Sequence, residues 1–160
     1  SCSPSAKDKD ERTKFTDQLE KKCIKAIKNN HKLFCSGKGG GGVDSLHTLA
    51  LSFDSSSPLY DLEIARDLIK SCVSLCEKEL LETPEIIPFL KDPSSQKNLF
   101  EIRVFFPKGQ LEKIDIRIVS FIKGTIKYKT DVKEDVKMID GTFKTLDRLK
   151  TLHSESWGDS

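Results

Sequence analysis

Five cysteines and three histidines are the side chains of this 160-residue chain with the widest chemical reach. Cys72 and Cys76 stand four apart, and His31 and Cys35 repeat that spacing. If each pair sits on a helix and the helices adjoin, one imidazole and three thiolates could surround a zinc ion tetrahedrally. Two other readings compete. Cys72 and Cys76 fall in an apolar stripe, where cysteine behaves as a small hydrophobe, and in an oxidising compartment such thiols form disulfides. Cys23 and Cys35 cannot bond each other if one helix spans both, because the interval rises about 18 Å. Other constellations fall back to structural roles. Ser36-Gly37-Lys38-Gly39-Gly40-Gly41-Gly42 invites comparison with a phosphate-binding loop, but Lys38 is not followed by Ser or Thr and the tract follows a helix, so it reads as a flexible connector. His47 beside Asp44 and Ser45 is a triad fragment whose members are too close in sequence to converge. Asp131, Glu134, Asp135 and Asp140-Gly141 lack calcium-loop spacing and read as a solvated acidic turn. No cofactor is implied, and catalysis ranks below binding.

The first residues, Ser-Cys-Ser-Pro-Ser-Ala-Lys-Asp-Lys-Asp-Glu-Arg-Thr-Lys, can bury nothing. A cysteine followed by a small, polar tether resembles the mature start of a bacterial lipoprotein. That resemblance implies a diacylglyceryl group on Cys2, with acyl methylenes holding the protein to a bilayer at about 0.8 kcal/mol each. It also implies a cell-envelope location, with Ser3 favouring the outer membrane and a domain facing the periplasm. The odd cysteine count agrees, since one thiol then has a separate fate.

Composition bounds the rest. Charged residues make up 32% of the chain, apolar ones 36%, and the formal net charge is +2. One domain is expected over residues 15–153, after a flexible tether over 1–14 and before a disordered tail over 154–160. Lys21, Lys25, Lys28 and Lys32 form a helical stripe, read as a solvated face. Nucleic-acid binding through it is a weaker alternative, since no aromatic residues are interleaved with the lysines. No apolar run reaches the roughly 18 residues of a membrane span.

The elements that would position these groups follow from periodicity. Phe15, Leu19, Cys23, Ile24, Ile27, His31 and Phe34 predict an amphipathic helix over about 9–34. A strand is expected over 45–53 and a second helix from Ser57 or Pro58 to Glu82, carrying Leu62, Ala65, Leu68, Ile69, Cys72, Val73, Cys76 and Leu80 inward. A short helical turn follows Pro84. Strands are expected over 99–106, 111–121 and 125–130, and a last helix over 142–151 with Phe143, Leu146, Leu149 and Leu152 inward. The expected fold is α+β in the order α-β-α-β-β-β-α, an antiparallel-rich sheet of three to four strands with helices on one face.

A hairpin about Pro107-Lys108-Gly109-Gln110 would pair Ile102 with Ile116 and Val104 with Ile114, and set Glu101 against Arg117 and Arg103 against Asp115. Those four charged residues mark the wet sheet face as the candidate binding surface. A bulge near Ile118 or Val119 is expected, because the apolar phase changes there. The next hairpin, through Lys123-Gly124, would pair Phe121 with Ile126 and Val119 with Tyr128. The segments Pro84 to Leu90 and Lys97 to Ile102 resemble an uncharacterised family of small bacterial proteins, which implies a related α+β fold and no known activity. The expected role is a lipid-anchored envelope module that binds a protein or small ligand, with a small envelope hydrolase as the runner-up.

Overall fold

A computed structural model describes residues 6–41, 45–94, 96–110 and 112–158, so Cys2 lies outside the described part. The fold is α+β: two long helices, two short 3-10 turns and a six-stranded mixed sheet in the order β1 to β6.

Helix α1 (Ala6–His31) turns Leu19, Cys23 and Ile27 fully inward and leaves Lys14, Lys21, Lys22, Lys25 and Lys28 exposed. It begins at Ala6, so the stretch expected to be tether through Lys14 is helical over most of its length. Lys32 closes the helix with a left-handed backbone (φ 55°), and the chain doubles back. The glycine tract then departs from expectation. Strand β1 (Phe34–Gly41) uses it as a sheet edge, paired antiparallel with β2 (Thr48–Asp54). Gly40 and Gly41 fit because an added Cβ would stand 3.1 Å from the Thr48 carbonyl oxygen and 3.2 Å from its hydroxyl.

Leu49, Leu51 and Phe53 of β2 face the core. Helix α2 (Leu62–Leu81) starts later than expected, capped by Asp61, whose carboxylate accepts from the Glu63 and Ile64 N–H groups at 2.8 and 3.4 Å. It carries the chain over the sheet, so β3 (Phe100–Phe105) lies parallel to β2. The remaining neighbours, β4 (Ile118–Ile122), β5 (Thr125–Lys137) and β6 (Phe143–Ser156), pair antiparallel.

The β3 to β4 register differs from the one expected. Ile102 pairs with Phe121 and Val104 with Val119, so Glu101 does not meet Arg117, and Arg103 faces Ser120 instead of Asp115. The physical reason is the change of apolar phase. Instead of a bulge, the chain gives up strand structure and forms loop over 106–110 and 112–117. Ile116 leaves the sheet to bridge Leu59, while Ile114 is exposed. The β4–β5 hairpin has the expected register, Phe121 with Ile126 and Val119 with Tyr128, across Lys123 (φ 48°) and Gly124 (φ 78°).

The C-terminal segment is the largest departure: the expected helix over 142–151 is strand β6, and β5 runs past Thr130 to Lys137. Apolar residues three apart share a helix face but alternate between the faces of a strand. Of the stretch expected to be a disordered tail, Ser154 to Ser156 belong to β6. Glu155 is tied into the sheet, and Trp157 packs edge-on against Phe121, their centroids 5.4 Å apart, while the Trp157 backbone N–H donates to the Gly124 carbonyl at 2.7 Å.

Candidate functional site

Beyond Asp131, β5 and β6 leave the other four strands behind and continue as a two-stranded arm. Asp140-Gly141 makes its tip. The Asp140 carboxylate accepts from the Thr142 N–H and hydroxyl at 3.0 and 2.6 Å, which holds that carboxyl below its usual range, and Gly141 takes φ 87°. Met138, Ile139, Phe143, Leu146, Leu149 and Leu152 are all exposed on the arm; Phe143 is 70% and Leu149 49% accessible. Pairing sets Phe143 opposite Lys137 and Leu149 opposite Asp131 on one face, and Leu146 opposite Glu134 on the other. Both faces are therefore apolar in part.

The arm is rooted by polar contacts. Asp115, nearly buried, accepts from the Gly109 N–H at 2.7 Å and the Thr130 hydroxyl at 3.4 Å, fixing Gly109 and its own loop segment against β5. Tyr60 accepts from the Gln110 N–H at 2.8 Å, and its ring covers Gly109 closely enough that a Cβ there would lie 2.6 Å from two ring carbons. Arg117 bonds the Phe106 carbonyl at 2.8 Å and pairs with Asp131. Clefts open on both sides of this root. One, of about 330 Å³, is lined by Lys108, Lys113, Asp115, Asp131, Lys133 and Asp147. The other, of about 350 Å³, has Ile114, Thr130, Val132, Lys150 and Leu152 among its walls.

At the sheet end of β6, Glu155 takes a bidentate bond from Arg66 of α2 at 2.6 and 2.9 Å and a bond from the Tyr128 hydroxyl at 2.7 Å, and shares one with His153 at 3.1 Å. The Arg66 bonds, followed by those of Tyr128 and His153, hold the Glu155 carboxyl down at about 2.

The expected site residues are scattered differently. Glu101 and Arg103 lie on the open face of β3, 3.8 Å apart. Asp115 and Arg117 belong to the arm root. Of the zinc candidates, Cys72 and Cys76 are buried on α2, His31 shares a 2.7 Å hydrogen bond with Ser71, and Cys35 is exposed on β1. Among the described residues no three His, Cys, Asp or Glu side chains are grouped as a metal would require. His47 and Asp92 line one cleft of only about 80 Å³, small beside the 300 Å³ and more of typical ligand pockets. Among the described residues no helix is long and apolar enough to cross a membrane.

Compared with protein-family models, curated proteins and solved structures, the chain matches none. Its geometry alone therefore carries the functional reading. One signal in the sequence does mark the arm: Asp140-Gly141 is the dipeptide of a hairpin turn, and the acidic residues around it outweigh that signal by reading as a solvated loop.

Proposed function

We propose that this protein is a lipid-anchored module of the bacterial cell envelope, held at the outer membrane through Cys2 and facing the periplasm, whose β5–β6 arm binds a partner. The observation that carries the reading is the arm itself. A two-stranded ribbon is marginal in water, and this one exposes Phe143, Leu146 and Leu149 on its two faces, Leu152 at its root and Met138 and Ile139 at its tip, with no third layer over them among the described residues.

The polarity of the fold supports the same division. Helix α1 runs antiparallel to β1, its C-terminal Lys28 stacking on Phe34 and its Glu20 reaching Lys38, so its first turns lie at the sheet end where β2 and β3 begin. The arm leaves from the opposite end, beyond Phe105 and Ile118. A lipid preceding α1 would thus sit at one pole and the arm would reach away from the bilayer. In strand register, the open face bearing Glu101 and Arg103 runs on through Lys129 and Asp131 into the arm, with Arg117 at the junction.

Two measurements test this. Wild-type protein should incorporate labelled palmitate and sediment with membranes, and Cys2→Ser should do neither. A photo-crosslinking residue at Phe143 should give a discrete adduct in cells, absent when Leu146 and Leu149 are both replaced by Ser and absent when the probe sits at Glu63. A wild-type protein free of lipid would overturn the anchor, and adducts indifferent to the arm substitutions would overturn the binding role.

A further inference from the structure

Strand β6 is the last of the sheet, and among the described residues β5 is the only strand paired with it. Its outer edge is therefore a row of backbone groups open to pairing with another chain. The hairpin tip fixes which ones. Thr142 turns its carbonyl towards β5, where it accepts from the Met138 N–H at 2.7 Å. Successive residues of an antiparallel strand direct their backbone groups to opposite sides, so Phe143, Thr145, Asp147, Leu149 and Thr151 present their N–H and C=O groups away from β5. The run from Phe143 to Thr151 contains no proline, pairs with β5 in one unbroken register, and is exposed throughout.

We propose that the outer edge of β6, from Phe143 to Thr151, is a strand-addition site for an extended partner segment in which acidic and apolar residues are interspersed; this rests on the arm-binding role proposed above and specifies its mode. Side chains set the pattern. On one face of β6, Lys144, Arg148 and Lys150 stand with Leu146, and from β5 that face receives Glu134 alone as a counter-charge, bound to Arg148 at 2.7 Å. Lys144 and Lys150 are left in surplus. On the other face Phe143 and Leu149 flank Asp147, which Lys108 reaches at 3.7 Å. An incoming strand is therefore matched by acids opposite Lys144, Arg148 and Lys150 and by apolar residues opposite Phe143, Leu146 and Leu149.

The same charges disfavour a second copy of β6. Antiparallel pairing about a two-fold axis sets one residue opposite itself. Centring on Leu146 matches Phe143 with Leu149 but puts Lys144 against Arg148, and centring on Leu149 matches Leu146 with Leu152 but puts Arg148 against Lys150. Centring on Asp147 or Arg148 opposes that charge to its own copy. Like charges directly opposite destabilise a strand pair, and charged side chains along an edge are a common guard against self-association. An acidic strand turns the basic clashes into attractions. Main-chain bonds then supply affinity, and the alternate side chains supply selectivity.

The probe is the fluorescein-labelled peptide Thr-Glu-Val-Glu-Thr-Val-Thr-Glu-Val, whose residues fall in antiparallel order opposite Thr151 to Phe143, titrated with the full chain and followed by anisotropy. Binding should be saturable, and weaker by about tenfold or more when lysine replaces each glutamate or when Lys144→Glu and Lys150→Glu are combined. N-methylation of the third, fifth and seventh peptide residues, whose N–H groups face β6, should abolish binding, and N-methylation of the fourth and sixth should preserve it. Thr145→Pro removes an outward N–H and no β5–β6 bond, so it should fold and bind about tenfold more weakly, whereas Thr145→Ala should bind as the wild type does. The methylated peptides leave the protein unchanged and decide the matter if Thr145→Pro unfolds the arm. Failure of the peptide to bind, or equal binding of the two methylated forms, overturns the edge pairing. Indifference to charge reversal, or dimerisation of the full chain that Thr145→Pro abolishes, overturns the acidic partner. The two proposals fail separately. In cells, a Phe143 adduct that persists in Thr145→Pro overturns the edge pairing and leaves the arm a binding element, whereas peptide binding with no adduct in cells overturns the arm's role there and leaves the edge chemistry standing.

Discussion

The β5–β6 ribbon is two structures in one pair of strands. Near its sheet end, Ile126 and Tyr128 are fully buried beneath the helix layer, and Glu155 is clasped by Arg66. Past Asp131 the same hydrogen-bonded pairing continues with every β6 side chain exposed. Backbone pairing is common to both halves; burial is not. Most stabilisation comes from burial, at about 25 cal/mol per Å² of apolar surface, so the proximal half holds the domain together and the distal half is held out by its root. Substitutions that break this contrast should rank by how much each half contributes.

Phe121→Ala should have the largest effect. The ring is fully buried on β4 and braces Trp157, and its loss removes about 3–5 kcal/mol of stability. The check is a urea midpoint that falls with the slope unchanged. A loss below about 1 kcal/mol would mean that the sheet end of the ribbon is as loose as the arm.

Gly109→Ala comes next. The new methyl collides with the Tyr60 ring, which cannot retreat without releasing the Gln110 N–H. We expect a cost of about 1–3 kcal/mol, the usual range for overpacking. We also expect faster hydrogen exchange at Gly109 and through the arm root than through β2. Exchange unchanged at the root would show that the loop does not steer the arm.

What was legible in the sequence divides along the same line. Where a strand packs on the helix layer, period-two patterning gave the right pairing, as in Phe121 with Ile126 and Val119 with Tyr128. The α+β class and both long helices were legible for the same reason, because one apolar face had one place to go. The arm has no such constraint. Phe143, Leu146, Leu149 and Leu152 repeat every three residues, a helical period, and only long-range pairing with β5 makes them strand. The glycine tract fails similarly: nothing local favours strand, and β2 imposes it. Of the candidate face, Glu101 and Arg103 were placed on the open side correctly. Asp115 and Arg117 were misplaced, because their partners Gly109 and Phe106 lie in a loop and Asp131 in a strand extension that local patterns do not encode.

Glu155→Gln should show a smaller effect that depends on pH. Its carboxyl is held near 2 in the fold against about 4.3 unfolded. A depressed pKa means that the folded state favours the charged form. The stabilisation is complete above pH 4.3 or so and is lost as pH falls towards 2. The amide variant should be less stable by about 1–2 kcal/mol at neutral pH, and its stability should fall less than that of the wild type between pH 5 and pH 2. Parallel curves would exclude Arg66–Glu155–Tyr128 as the clasp of the proximal half.

Phe143→Ser should change stability least, by less than about 0.5 kcal/mol, the range for surface positions. Its ring is mostly in water already and its strand partner is Lys137. A serine there removes no buried contact, and serine is tolerated in an edge strand. The contrast with Phe121 is the sharpest available, since both are phenylalanines on strands of one sheet and differ in what covers them. If the arm is a binding element, this substitution should leave the thermal midpoint within a degree or two and still weaken the arm's crosslink to its partner when the photo-crosslinking residue is moved to Thr145. A large loss of stability would instead show that Phe143 is covered in solution by another part of the chain or by a second copy, and the arm would then be structural.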